Sequence, residues 1–210
     1  MRLMSDDFQG VARRLTEIGR RFDARGWVLG TSGNFSAVVS RNPLQLAITP
    51  SAASKGELEP AQFLAIDETG TVTGAAQRRP SAETALHLEI VRGRSAGAVL
   101  HTHSIWSTLV SDRYATDGGL WIEGFEMLKG LEGVTTHEHR EWLPVLANDQ
   151  DMTRLAGQVR RLLNEHPNAH GFLLHRHGLY TWGENLAQAT RHVEILEFLL
   201  EIIGRKEFNQ

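Results

Sequence analysis

Two periodicities take turns along this chain, and their alternation restricts its fold more than any other feature. Phe8, Val11, Leu15, Ile18 and Phe22 step by three and four, one face of an amphipathic helix that Gly26 ends. "WVLGTSGNFSAVVS" then leads through small residues into an alternating strand, and "LQLAITP" reads as its partner across an Asn42-Pro43 turn. "SAASKGELEPAQFLAID" reads as a loop with a short turn, and "ETGTVTG" as a hairpin tip. A helix is predicted from Pro80-Ser81 to about Arg92, a strand over "AGAVLHTH", and a helix over "SIWSTLVSD". A short helix over "GFEMLKGLEG", a strand around Leu143–Leu146 and a helix ended by Pro167 follow. "AHGFLLHRHGLYTWG" reads as two strands meeting at His177-Gly178. From Leu186, positions Ala189, Val193, Leu196, Leu200 and Ile203 repeat the helical spacing in a long closing helix. Helices interleaved with short strands predict an α/β class with a central sheet covered by helices. At 210 residues, one domain over 1–210 is expected.

Composition removes several function classes. The chain has no cysteine, so disulfides, thiolate metal sites and cysteine nucleophiles are excluded. Net charge is −3 and no run of Lys and Arg offers a phosphodiester partner, so nucleic acid is not expected. No window approaches the length of a membrane span. "MRLMSDDFQG" lacks the apolar core of a signal peptide, so a cytoplasmic protein is expected.

Ten histidines include three His-x-His pairs, at 101/103, 137/139 and 175/177. Residues i and i+2 of a strand point to one face, so each pair is half of a candidate zinc site. A pair standing alone is more often polar surface, and position decides between the two readings. His101 and His103 end the apolar run "AGAVL" just before a helix, the strand edge where α/β proteins place ligands. His175 and His177 end "GFLL" beside Gly178, which tolerates close backbone approach. His137 and His139 sit among charges and read as a solvated loop or an interface. The expected ligands are the first pair plus one histidine of the third. His87, His166, His170 and His192 are expected to be structural. Three histidines leave coordination positions open, as catalytic metal sites do.

"GTSGN" and "TPSAASK" are rich in hydroxyls and backbone donors able to cradle a phosphate, with Lys55 adding charge. "PSAE" adds hydroxyl Ser81 at a helix start. Two carboxylates are candidate acid/base groups. Glu83 falls in a first helical turn, where a dipole-stabilising role is the alternative. Glu126 stands among apolar residues in "GFEMLKG", where a raised pKa would suit proton transfer and a solvent-facing role is the alternative. Trp106, Trp121, Phe125, Met127 and Tyr180 are candidates for an apolar pocket or for core.

The ordered set "TSGNFS", "ITPSAASK", "RPSAETALH", "AVLHTHS" and "HGLYTWGENLAQA", spanning about residues 27 to 200, resembles the class II aldolase family. Within it, "TSGN", "GFEMLKG" and "HRHGLYTWG" look most like the branch that dehydrates methylthioribulose 1-phosphate in methionine salvage. The resemblance implies a three-layer α/β/α sandwich around a mainly antiparallel sheet, and a homotetramer. It implies one zinc per subunit on His101, His103 and His177, with His175 a neighbour. It places Glu126 at the dehydratases' acid/base and Glu83 at the aldolases' base, and this chain holds both. The aldolase-type phosphate site maps to Gly33, Asn34, Ser51, Ala52, Ser81 and Ala82, with Ala52 and Ala82 standing where the fuculose-phosphate aldolases have Gly and Ser; Ser32 and Lys55 are further candidates for the phosphate. The implied substrate is a ketose phosphate. Dehydration is the leading expectation; a sugar-phosphate aldolase or 4-epimerase is the alternative, and a metal-free scaffold of the adducin type is a third.

Overall fold

The computed structural model describes residues 8–74 and 78–208. The first seven residues, on which the signal-peptide reading partly rests, lie outside that range. Helix α1 (Phe8–Ala24) is followed by β1 (Asn34–Arg41), β2 (Leu44–Ile48) and β3 (Leu64–Asp67). Helix α2 (Thr84–Arg94), β4 (Ala98–Thr102), α3 (Ile105–Arg113) and β5 (Gly119–Glu123) come next. The chain continues through β6 (Arg140–Leu146), α4 (Met152–Glu165), β7 (Gly171–Leu174), β8 (Gly178–Gly183) and α5 (Leu186–Phe208).

The eight strands of the described residues form one sheet in the order β3-β2-β1-β4-β8-β7-β6-β5. Every pairing among them is antiparallel except β6 with β7. Side chains alternate across it, and each face is covered by helices. Val99, Phe172, Leu174 and Tyr180 pack under α2 and α4, with Ile90, Leu155 and Val159. Ala98 and Leu100, on the opposite face of β4, meet α1 and the start of α5 through Leu15, Phe22 and Val193. Farther along, α5 and α3 cover Leu143, Leu173 and Leu179 with Leu196, Leu200 and Val110. This is the expected α/β/α sandwich around a mainly antiparallel sheet.

Local chemistry fixes the helix ends. The Ser104 hydroxyl accepts from the Ser107 amide at 2.9 Å and starts α3 one residue after His103. Asp151 accepts from the Thr153 and Arg154 amides and starts α4. Three features differ from the expected pattern. Helix α2 begins at Thr84, because Ser81 is drawn to the sheet instead: its amide donates to the Thr49 carbonyl, and Pro80 bridges Pro50. Glu83 therefore occupies the N-cap position, not the first turn. Strands β3 and β5 lie where no strand was expected. The "GFEMLKG" segment forms a 3-10 turn over Glu126–Gly130.

Candidate metal centre

Strand β4 carries His101 on the sheet face opposite Thr102, whose hydroxyl is held by the buried Glu197 of α5, and His103 follows just past the strand's end. His177 arrives from the tight turn between β7 and β8, where its amide donates to the Leu174 carbonyl at 3.0 Å. A Cβ on Gly178 would run into the Thr102 carbonyl, so glycine is what lets β8 carry this turn against β4. The three Nε2 atoms converge: His101 and His103 are 2.8 Å apart, His101 and His177 3.3 Å. Tetrahedral zinc with bonds of 2.0–2.1 Å sets neighbouring nitrogens about 3.3 Å apart, so the donor set fits such an ion.

The surroundings of the three histidines suit a ligand role. His101 donates from Nδ1 to the Leu179 carbonyl at 2.9 Å, which leaves Nε2 as the lone pair aimed inward. Tyr180 stacks on its ring, with centroids 3.9 Å apart and an interplanar angle of 10°. Burial, then repulsion from His103 and His177, holds His101 well below the usual histidine range. Burial, then His177 and Lys55, lowers His103 to about 3. Burial lowers His177, with Glu83 opposing. All three are neutral near pH 7, the form that binds metal.

Glu83 stands over this centre, its side chain 12% exposed, with carboxylate oxygens 3.5 Å from Nε2 of His101 and of His177. The Asn34 amide donates to it at 2.5 Å, and Asn34 in turn accepts from Nε2 of the buried His87, whose Nδ1 lies 2.7 Å from the Ser36 hydroxyl. A chain of four polar side chains thus reaches from the sheet interior to the carboxylate. Asn34 and His87 escape sequence reasoning as members of this network, because their contacts cross between β1 and α2.

The same cavity, about 240 Å³, is lined by Ser32, Gly33, Asn34, Ser51, Lys55 and Ser81 together with Glu83, His103 and His177. Three loops distant in sequence meet there. Gly33 has φ +72°, and a Cβ on it would lie 2.6 Å from the His101 carbonyl. Lys55 is buried and donates to the Thr31 and Ala53 carbonyls at 2.5 and 2.8 Å. It ties two of those loops together rather than reaching freely into the cavity. Burial pulls its pKa down to about 8, with Glu83 opposing, so the ammonium persists at neutral pH. Asn148, Gln150 and Met152, from the start of α4 and the loop before it, complete the wall. No spacing signal in the sequence marked them.

Other candidates lie elsewhere. Glu126 is on the exposed 3-10 turn, 74% exposed, 2.8 Å from Lys129 and 3.9 Å from His137. The Lys129 ammonium lowers its pKa, where a raised value was expected from its apolar neighbours in sequence. His175 turns away to Asp112 at 2.9 Å, as a neighbour rather than a ligand. Tyr180 backs His101, whereas Trp121 and Met127 are exposed on the surface. His139, expected on a solvated loop or at an interface, and His170, expected to be structural, both reach the buried Glu141. No helix among the described residues is long and apolar enough to cross a membrane.

A family model described as the class II aldolase and adducin N-terminal domain matches residues 13–203. The methylthioribulose-1-phosphate dehydratase of Sorangium cellulosum is 44% identical, covering 92% of this chain and 91% of its own. That of Methylococcus capsulatus is also 44% identical, covering 95% of both. Among solved structures, YgbL from Escherichia coli superposes with a TM-score of 0.77 at 26% identity, covering 93% of this chain and 89% of its own. L-fuculose-1-phosphate aldolase from Thermus thermophilus gives 0.72 at 23% identity, covering 94% and 95%.

Proposed function

This chain belongs to the class II aldolase and adducin family, and from that premise we propose that it is a hydro-lyase. It converts 5-methylthioribulose 1-phosphate into 2,3-diketo-5-methylthiopentyl 1-phosphate and water, a step of methionine salvage in the cytoplasm. The relatives at 44% identity that carry the dehydratase name support this substrate. The observation that carries the chemistry is the meeting of three neutral imidazoles, one carboxylate and a hydroxyl-lined cavity. The working unit is a single domain over 1–210, assembled as a homotetramer with one zinc ion per subunit.

His101, His103 and His177 would hold the ion. Bound there, zinc supplies Lewis-acid polarisation of the substrate's C2 carbonyl, which acidifies the proton on C3. Ser32, Ser51 and Ser81 offer hydroxyls to the phosphate, and Gly33 and Asn34 offer amides. Lys55 holds those loops in register and lends positive charge. Glu83, fixed by Asn34, takes the proton from C3. The C4 hydroxyl leaves as water with a proton from a second carboxylate, and the C3 enol becomes the ketone as C4 is reprotonated. We assign that second role to Glu126, which is exposed and stands outside the cavity lined by Glu83.

Metal-loaded protein should convert 5-methylthioribulose 1-phosphate to a product lighter by one water, followed by mass spectrometry. Glu83→Gln should lower turnover by about 10²–10⁴-fold, the usual worth of a general acid or base, while keeping its metal. Retro-aldol fragments from L-fuculose 1-phosphate, or an epimer from L-ribulose 5-phosphate, with the methylthio sugar untouched, would move the chain to the sugar-phosphate branch.

A further inference from the structure

A second set of metal-type donors lies at the other end of β7. That strand ends at the turn bearing His177, and it begins one residue after His170. There His170 meets His139 and Glu141 at the start of β6, and their ligand atoms all lie within 4.8 Å of one another. None of the three lines the cavity that holds Glu83.

The Glu141 side chain is 1% exposed, an expensive place for a carboxylate unless it is fully partnered. Its Oε2 is 2.8 Å from Nε2 of His139 and 3.0 Å from Nδ1 of His170. Its Oε1 accepts from the His170 amide at 2.9 Å, which orients the group. His170 donates from Nε2 to the Glu132 carbonyl at 2.8 Å, so Nδ1 is the atom turned inward. A backbone carbonyl on the far nitrogen is the support that metal-ligating imidazoles receive. His192 is excluded as a further ligand: its Nδ1 donates to the Trp182 carbonyl and its Nε2 accepts from the Glu132 amide. His139 and His170 also line a cavity of about 660 Å³, which gives an ion a route in from solvent, while Glu141 stays buried behind them.

We propose that His139, Glu141 and His170 form a second divalent-metal site, independent of the first. Two imidazoles and one carboxylate suit zinc and other first-row cations. The ion replaces the protons now shared between the carboxylate and the rings, and it pins the entries of β6 and β7 to each other. Its consequence is structural: occupancy fastens the β6–β7 half of the sheet.

The test is metal stoichiometry by elemental analysis, after stripping with chelator and dialysis against zinc. Unaltered protein should retain two equivalents per chain. His103→Ala should retain one, and should still gain melting temperature on zinc addition. The double variant His139→Ala/His170→Ala should also retain one, and should keep its turnover. One equivalent in the unaltered protein, with none left in His103→Ala, would overturn the proposal and leave the trio as an ion-paired cluster. The unaltered chain and His103→Ala decide this even if the double variant fails to fold.

Discussion

His87 is the residue on which the candidate base finally rests. It holds Asn34, and Asn34 holds Glu83. Burial drives its pKa from 6.5 down to about 3, so the folded chain keeps it neutral. The unfolded chain takes up a proton below about 6.5. Protonation therefore favours the unfolded state, and metal-free protein should lose stability as pH falls from about 6.5 towards 3. Each such histidine contributes up to about 1.4 kcal/mol per pH unit in that window. Thermal melts against pH should show the decline, and His87→Gln should make it shallower. A flat profile between about pH 6.5 and 5 would contradict the account. At this scale, His101 and His103 were legible because period two and the end of an apolar run are local signals. Sequence alone marks His87 as structural, and its link to Glu83 stays hidden because the link runs through a third residue 53 positions away from it. His139 and Glu141 were hidden for the same reason: His170 is 29 positions from Glu141.

The two strands that the sequence concealed, β3 and β5, are the two edges of the sheet. Edge strands are short and half exposed, so they lack the apolar run that marks an interior strand. β5 keeps Trp121 and Glu123 in solvent, and β3 spans only Leu64–Asp67. The interior strands β4, β7 and β8 are buried along their whole length and were read correctly. One interior contact is tight enough to predict a failure. Gly178→Ala would push β8 off the Thr102 carbonyl and press on the His101 ring. Overpacking of this kind costs about 1–3 kcal/mol or more. The variant should melt lower and bind zinc more weakly at His101. Unchanged zinc affinity would show that the turn can yield without moving the ligands.

A whole-molecule assignment rests on Glu126. If it serves a neighbouring copy, two inactive proteins should repair each other. Glu126→Gln lacks the acid but keeps its histidines; His103→Ala lacks the metal but keeps Glu126. Co-refolded together, they should recover turnover in hybrid assemblies, and a mixture as inactive as its parts would show that Glu126 does not act on a neighbouring copy. The order of strands carries a further consequence, for timing during synthesis. His101 of β4 and the adjoining His103 are made by mid-chain, yet β4 is flanked on one side by β8, whose Leu179 is made 78 residues after His101. A nascent chain halted before the β7–β8 turn holds only two of the three nitrogens, with no Tyr180 behind them and no α5 to cover the strand. Assembly of the three-histidine centre is therefore an event of the nearly finished polypeptide.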